Sequence, residues 1–306
     1  MEATKTIYKK GHKKFILKNV IYSFTIGLIL TAFVIVTVYP ILNTLAISFN
    51  DALDALRGGI YLWPRKWSLT NYSTVLHKES MMTGLYISVL RTAAGTVLQL
   101  FTTALIAFVL SRKKFIFAKP ISILYVLTMY VNGGLIPTFL LFKELGFMNS
   151  FWVYIIPGMV SAFNMLVIRT YMNGLPDSLE ESAMMDGAGY FKVFTKIIVP
   201  LCKPVFATVA LFIAVGQWNS WFDTMLYNRM ADDLTTLQYE LMKLLSSVSQ
   251  LSGDPNTAGL SGTSAQVTTK SVRAAATILT SLPIVALYPF LQRYFVTGLT
   301  IGGVKE

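Results

Sequence analysis

The chain has 306 residues, of which 54% are hydrophobic and only 13% are charged, and its mean hydropathy is +0.57. These values lie outside the range of soluble globular domains and predict an all-α integral membrane protein. The net charge of +11 does not indicate nucleic-acid binding, because the basic residues flank apolar segments, where they would contact anionic membrane lipid.

Several apolar segments are long enough, at roughly 20 residues, to cross the hydrocarbon of a bilayer as α-helices. The first is too long to be the apolar part of a cleaved signal peptide, so we expect it to be retained as a span. The six predicted spans are approximately residues 20–44, 84–110, 120–142, 151–171, 204–226 and 274–297.

Lysine and arginine concentrate on one side of these spans: before the first, between the second and third, and after the fourth. Because such residues favour the cytoplasmic side, both termini of this multi-pass chain are predicted to lie in the cytoplasm. We divide the chain into residues 1–82, with the N-terminus, first span and an extracellular loop; residues 83–298, the core transmembrane domain; and residues 299–306, a cytoplasmic tail.

The segment Trp63–Tyr72, in the first extracellular loop, is expected to pack over the mouth of a pathway. Arg91 follows, about two turns into the second span. Its long side chain could reach the outer surface of the membrane or could mark a polar path between the helices. We favour the first interpretation.

The third span contains paired glycines and a proline, at Gly133, Gly134 and Pro137. These residues predict a kink or an unwound turn, which would expose backbone polar groups that lipid cannot satisfy but a water-filled path could. Asn132 and Gly133 are therefore candidates for a substrate pathway. A close crossing of two helices through small residues is the alternative.

The connection between the fourth and fifth spans, residues 172–200, is polar and predicted to be cytoplasmic. Asp177 or Ser178 can cap a short helix, Gly187 and Gly189 then break it, and a second helix continues to the end of the connection. The pattern predicts two short helices with a glycine elbow. An amphipathic hairpin that only joins two spans would give the same pattern.

This connection carries Glu181-Ser182-Ala183, then three residues, Gly187, nine residues and Ile197-Ile198-Val199-Pro200. The segment resembles the EAA-x3-G-x9-I-x-L-P motif of ABC importer permeases, with Ser182 and Val199 as departures. The resemblance implies a type I ABC importer permease fold with six transmembrane helices, in which this hairpin is a coupling helix that docks on an ATP-binding subunit. The residues it assigns to that contact are Glu181, Ala183, Asp186 and Gly187.

The carboxyl end, Gln292-Arg293-Tyr294-Phe295-Val296-Thr297-Gly298-Leu299-Thr300, is similar to the terminal signature of maltose-type sugar permeases. Residues 129–138 and 217–223 resemble the LplC/YtcP-like branch of that family. The resemblance implies an oligosaccharide importer built from this chain, a sister permease in a heterodimer, two ATP-binding subunits and an extracellular substrate-binding protein. It implies no cofactor in this subunit, since ATP and Mg belong to the partner subunits.

Trp218, Asn219 and Trp221 supply the aromatic faces and the amide that a sugar needs, near the outer end of the fifth span. Anchoring at the membrane interface is the alternative, mainly for Trp221. The Gly/Ser/Thr-rich tract at residues 251–269 is expected to reach into the binding protein, or else to be a flexible linker. Cys202 is expected to be a buried small hydrophobe.

Catalytic chemistry is not indicated. The sequence lacks a G-x-x-x-x-G-K-[ST] phosphate loop, and His12 and His77 lie on opposite sides of the first span, with no metal-ligand spacing. A secondary transporter would need intramembrane acids or histidines, which the interiors of the predicted spans lack, since Asp223 lies at an end of the fifth span. An ABC permease for peptides, amino acids or phosphate shares the coupling motif and is the closer alternative.

Overall fold

The structure, a computed structural model, describes residues 2–251 and 269–298. In these residues the chain is helical, apart from loops and an isolated antiparallel bridge between Asn50 and Trp67. The α-helices are α1 (Glu2–Ser48), α2 (Ala52–Leu56), α3 (Thr70–Leu76), α4 (Glu79–Ser111), α5 (Ala118–Tyr130), α6 (Leu135–Glu144), α7 (Ala162–Asn173), α8 (Ser178–Met185), α9 (Tyr190–Val193), α10 (Val199–Leu201), α11 (Lys203–Asn219), α12 (Phe222–Tyr227), α13 (Leu237–Leu251) and α14 (Thr269–Gly298).

Three helical segments of the described chain are long and apolar enough to cross a membrane: Tyr22–Ser48 of α1, the whole of α4, and Lys270–Leu287 of α14. Three bent pairs pass the same test together. These are α5 with α6, bent by 117°, Phe151–Gly158 with α7, bent by 46°, and Tyr190–Leu201 with α11, bent by 83°. The described residues therefore contain three straight candidate spans, or up to six if each bent pair crosses once.

The break between α5 and α6 lies at the paired glycines, where the sequence predicts a kink. Gly134 has φ +89°, a left-handed backbone that favours glycine, and the Asn132 Oδ1 accepts a hydrogen bond from the Gly134 amide at 2.9 Å. Pro137 stands in the first turn of α6, where a missing amide proton breaks no helical hydrogen bond. The predicted kink is thus a complete interruption of the helix.

The chain divides into two compact units, residues 1–73 with 260–278, and residues 74–259 with 279–306. In the first unit, a hydrogen-bonded loop follows α1. The Asn50 Oδ1 accepts from the amides of Arg65 and Lys66, at 2.8 and 3.0 Å, and the Asn50 Nδ2 donates to Asp54, at 3.0 Å. The hydrogen bond from Asn50 lowers the pKa of the Asp54 carboxyl, which also pairs with Arg65. The predicted packing of this loop over a pathway stays a prediction.

In the second unit, α4 is the central helix and packs against α7, α11 and α13. Its half nearer Arg112 contributes Ala104, Ala107 and Phe108 to an apolar cluster with residues of α7, α11 and the connection between them. Cys202 is fully buried in this cluster, as expected from the sequence. Burying such side chains together stabilises the packing of α4 against its neighbours.

At the other end of α4, the buried Glu240 of α13 joins a small polar cluster. Its carboxylate contacts Lys243 and accepts a hydrogen bond from the Thr235 hydroxyl at 2.8 Å, and Lys78 lies 3.8 Å away. Burial raises the pKa of Glu240, but the hydrogen bonds and the charge of Lys243 outweigh it, so the pKa lies below its ordinary value of 4.5. Glu240 is therefore held as a carboxylate.

Candidate functional site

Arg91 of α4 is buried, with only 2% of its surface exposed. Its Nη2 donates to the Asp223 Oδ2 at 2.6 Å, and its Nη1 donates to the Asp223 Oδ1 at 3.3 Å. The expectation that this side chain reaches the membrane surface is therefore wrong. The physical reason is that a carboxylate 132 residues away in sequence compensates the charge inside the protein, which removes the need to reach water.

Two further groups enclose the Arg91 guanidinium. Its Nε donates to the Gln217 Oε1 at 3.0 Å, and the guanidinium carbon lies 4.2 Å from the centre of the Tyr154 ring. The Gln217 Nε2 in turn donates to the Tyr154 carbonyl at 3.0 Å. A Cβ at Gly95 would lie 3.0 Å from the Gln217 side chain, so only glycine leaves room for this arrangement without displacement. The result is a closed polar network between helices.

A cavity of about 320 Å³ lies beside this network. Its polar lining includes Asn164 of α7, Ser220 and the partly exposed carboxylate of Asp223. Asn164 is only 8% exposed, and its side-chain amide has no hydrogen-bond partner in the described part of the chain. Aromatic walls complete the cavity; they are Phe142, Tyr154, Phe212 and Tyr227.

The residues predicted for a substrate pathway lie elsewhere, and none of the five lines this cavity. Asn132 and Gly133 are exposed in the break before α6. Trp218 is buried, and its indole Nε1 donates to the Thr280 carbonyl at 2.8 Å. The Asn219 Oδ1 accepts from the Gln238 Nε2 at 3.3 Å, and the Trp221 ring packs edge-on against Phe222.

A second polar region surrounds the hairpin formed by α8 and α9. Gly187 has φ +77°, and its amide donates to the Met184 carbonyl at 3.0 Å, which ends α8 and turns the chain toward α9. Asp177 stands at the N-cap position of α8, but its side chain makes no capping hydrogen bond. The predicted capping role is wrong for Asp177, because its carboxylate contacts Lys113 instead.

Two ion pairs join α8 to the segment that follows α4: Arg112 with Glu180, and Lys113 with Asp177. We call these pairs the clamp. The Arg112 guanidinium also donates from Nη2 to the Ser111 Oγ at 2.9 Å and lies over the Phe108 ring. Burial lowers the pKa of Arg112, and the charge of Asp177 opposes this shift. The clamp was not predicted from the sequence, because its partners are distant along the chain.

The motif residues occupy two faces of the hairpin. Glu181, Asp186 and Gly187 are exposed, whereas Ala183 is partly buried against the apolar cluster of the second unit. Large apolar side chains are exposed on the same surface, and the sequence analysis did not identify them. They are Tyr190, Phe191 and Met185, of which Met185 is 88% exposed. In the described residues, no group of His, Cys, Asp and Glu side chains could hold a metal ion.

Comparisons with known proteins agree with this architecture. Residues 97–222 match the family described as "Binding-protein-dependent transport system inner membrane component". The polygalacturonan/rhamnogalacturonan transport system permease protein YtcP of Bacillus subtilis (strain 168) is 32% identical over 290 residues, which cover 94% of this chain and 100% of that protein. Protein LplC of the same organism is 34% identical over 270 residues, covering 88% and 90%.

A similar solved structure is the crystal structure of a bacterial ABC transporter involved in the import of the acidic polysaccharide alginate. It matches 91% of this chain and 98% of its own chain, with a TM-score of 0.79 and 26% sequence identity. Its similarity extends the match beyond the segment that the family model covers. The chain therefore belongs to the family of inner membrane components of binding-protein-dependent transport systems, and it is an ABC transporter permease subunit rather than an enzyme.

Proposed function

We propose that this chain forms half of the translocation pathway of an ATP-driven, binding-protein-dependent oligosaccharide importer that works by alternating access. The observation that carries the proposal is the similarity to YtcP, a permease named for polygalacturonan and rhamnogalacturonan transport, along that protein's entire length. The alginate importer, which has a similar fold, also carries a saccharide. The proposed transporter also contains a sister permease, two ATP-binding subunits and an external binding protein.

In this proposal α5 with α6 forms the third span, Phe151–Gly158 with α7 forms the fourth, and residues 204–226 form the fifth, while residues 190–200 belong to the cytoplasmic hairpin segment. With the three single-helix candidates this gives six spans, with both termini on the cytoplasmic side of a bacterial inner membrane. Residues 83–298 form the core transmembrane domain. The basic residues that follow α4 support this orientation, because they lie at the same end of the second unit as the hairpin. Residues 252–268, most of the tract predicted to enter the binding protein, and the tail at 299–306 lie outside the described residues.

The hairpin is the proposed coupling helix. Glu181, Asp186 and Gly187 are exposed and available to an ATP-binding subunit, and Met185 adds apolar surface beside them. Ala183 faces the permease core, so its proposed role is to let α8 approach that core closely. ATP and Mg would be held by the partner subunits, and movement of α8 would pass through the clamp to α4.

The proposed pathway includes the exposed break at Asn132 and Gly133, where the backbone leaves the helical hydrogen-bond pattern. Such backbone is tolerated at membrane depth where it lines a water-filled cavity. Asn219 and Trp221 are proposed to contribute at the end of α11. Trp218 is held by the Thr280 carbonyl, so its proposed contribution is to fix α11 against α14.

The test is the ATPase activity of the reconstituted complex with its binding protein and a panel of oligosaccharides. We expect a saccharide to stimulate hydrolysis in the wild type, and we expect Glu181→Lys to abolish the stimulation while the subunits still assemble. Glu144→Lys, which reverses an exposed charge at the end of α6, is the matched control. Stimulation that Glu181→Lys leaves intact would contradict the coupling role. Stimulation by peptides or amino acids alone would instead favour a permease for a non-sugar solute.

A further inference from the structure

The cavity beside the Arg91–Asp223 pair has the properties of a ligand subsite. We propose that it binds a neutral, hydroxyl-bearing sugar unit of the transported cargo. The proposal rests on the proposed function and adds a site and a class of sugar that sequence comparison does not supply. A charged pair buried in a membrane-spanning chain is itself a reason to look for function, because such groups are rare away from transport pathways.

Several polar groups beside the cavity are already hydrogen-bonded within the protein. The Nε, Nη1 and Nη2 of Arg91 donate to Gln217 and Asp223, and the face of its guanidinium lies on the Tyr154 ring. Both polar atoms of the Gln217 side chain are hydrogen-bonded, because Oε1 accepts from Arg91 and Nε2 donates to the Tyr154 carbonyl. These hydrogen bonds fix the two side chains at the wall of the cavity, and their polar atoms need no ligand to complete their hydrogen bonding.

Other polar groups in the cavity lining remain available to a ligand. The Asn164 amide, on a side chain more than nine-tenths buried, lines the cavity without a partner in the described residues. The Asn164 amide atoms are not among the fully buried side-chain atoms that lack a partner, so they are accessible from the cavity, where a ligand or water can form hydrogen bonds with them. The Ser220 hydroxyl and the Asp223 carboxylate, whose side chain is 21% exposed, line the same space. Together they offer acceptors and donors suited to sugar hydroxyls.

The apolar part of the cavity lining is aromatic. Phe142, Phe212 and Tyr227 line the cavity and present aromatic rings. A sugar ring has apolar CH faces together with hydroxyl groups at its edge, so it can contact aromatic walls and hydrogen-bond to Asn164 and Asp223 at once. A purely apolar ligand would leave these polar groups without partners.

Charge then selects among sugars. Arg91 is the cationic residue in the cavity lining, and its charge is compensated by Asp223. The member of the pair that is accessible from the cavity is the Asp223 carboxylate, so the carboxylate of a uronic acid unit would lie closer to the negative than to the positive member of the pair, in a partly desolvated site. The hydroxyl groups of a neutral sugar unit can instead donate hydrogen bonds to the Asp223 carboxylate. The sugar unit proposed for this subsite therefore differs in charge from the acidic polysaccharide named for the alginate importer.

The experiment uses the complete transporter, with sister permease and ATP-binding subunits, in lipid nanodiscs. Direct binding of a neutral oligosaccharide and of a uronic acid oligosaccharide of equal length is measured without the binding protein. We expect the wild type to bind the neutral oligomer at least tenfold more tightly than the acidic one. Asn164→Leu should weaken binding of the neutral oligomer about tenfold, as expected for the loss of one hydrogen-bonded group.

Asn164→Gln, which retains the amide, should recover most of this loss. Asn173→Leu makes the same replacement at an exposed site on the same helix and should leave binding unchanged. Sugar imported per ATP in proteoliposomes with loaded binding protein should follow the same order among the variants. A general loss of folding would change ATP hydrolysis and import together and would not be rescued by glutamine.

Tighter binding of the acidic oligomer by the wild type would overturn the charge argument. Equal binding of the neutral oligomer by the wild type and Asn164→Leu would overturn the site itself, with the importer function intact. Failure of the wild type to import any oligosaccharide would overturn the proposed function, and this subsite with it. If Asn164→Leu does not assemble, the comparison of neutral and acidic oligomers on the wild type still decides the charge argument.

Discussion

The Arg91–Asp223 pair and the two ion pairs of the clamp use the same kinds of side chain at different degrees of burial. The first is enclosed, with the Arg91 side chain 2% exposed and its donors divided between Asp223 and Gln217. In the clamp, Lys113 and Asp177 are 81% and 60% exposed, while Arg112 and Glu180 are 15% and 18% exposed. The difference teaches that the surroundings, rather than the charges, decide how firmly a pair holds two helices together.

The largest effect is expected when one member of the enclosed pair is removed. Asp223→Ala leaves the Arg91 charge buried without compensation, which should cost about 3–5 kcal/mol of stability. Thermal unfolding of the purified complex measures the loss. The double substitution Arg91→Met with Asp223→Leu removes both charges and should recover much of the stability. Equal melting temperatures for wild type and Asp223→Ala would show that water already reaches the pair.

An intermediate effect is expected for the better-buried half of the clamp. Glu180→Ala removes a charged partner of Arg112 at a half-buried site, and loss of such a contact costs about 1.5–3 kcal/mol. Lys113→Ala is the control from the exposed half, where an ion pair contributes less than about 1 kcal/mol and is screened by salt. The unfolding of both variants, measured at low and at high salt, distinguishes the loss of the better-buried ion pair from the loss of the exposed one. Equal losses for both variants would contradict the comparison.

A smaller effect is expected at the elbow of the hairpin. Gly187→Ala places a Cβ at φ +77°, which costs about 1–2 kcal/mol for a residue other than glycine. Gly189→Ala is the matched control, since Gly189 has φ −74° and no atom lies within 4 Å of the added Cβ. Stimulated ATPase activity should fall for the first variant only. If both variants behave alike, the backbone of the elbow is not what positions α8.

The smallest effect depends on pH and extends the comparison to Glu240. The pKa of this carboxyl is lowered on folding, so its contribution to stability is complete above the ordinary value of 4.5 and is lost as the pH falls through the lower folded value. The melting temperature of the wild type should exceed that of Glu240→Gln at pH 7, and the difference should shrink below about pH 4.5. A difference that grows on acidification would mean that the pKa is raised.

Local signals in the sequence predicted much of the hairpin and of the broken third span. Glycine at positions that require left-handed backbone is readable from neighbouring residues, and both Gly134 and Gly187 adopt it. The burial of Cys202 among apolar neighbours is readable in the same way. The six apolar segments are mostly helical in the described residues, but residues 131–134, 159–161 and 220–221 interrupt three of them. These interruptions, and the bends of 46°, 83° and 117°, depend on packing that hydropathy does not report.

The polar contacts between distant residues could not be predicted in this way. Arg91 and Asp223 are 132 residues apart, and nothing near Arg91 in sequence shows that a carboxylate lies beside it. Adjacent residues on a helix point in different directions, so the choice between Gln217 and Trp218 depends on what packs against α11. Gln217 faces the ion pair and Trp218 faces the Thr280 carbonyl. Sequence reasoning chose the larger aromatic residue for the pathway.

The pairing of Arg91 with Asp223 also has a consequence for the effect of membrane voltage on the Arg91 charge. A single charge that crosses the membrane field changes the energy by about 2.3 kcal/mol per 100 mV. A bidentate pair of opposite charges that moves as a unit carries no net charge through the field. Shifts of α4 that keep Arg91 on Asp223 therefore carry no net charge of this pair through the field, and the membrane potential supplies no energy to such shifts through the pair.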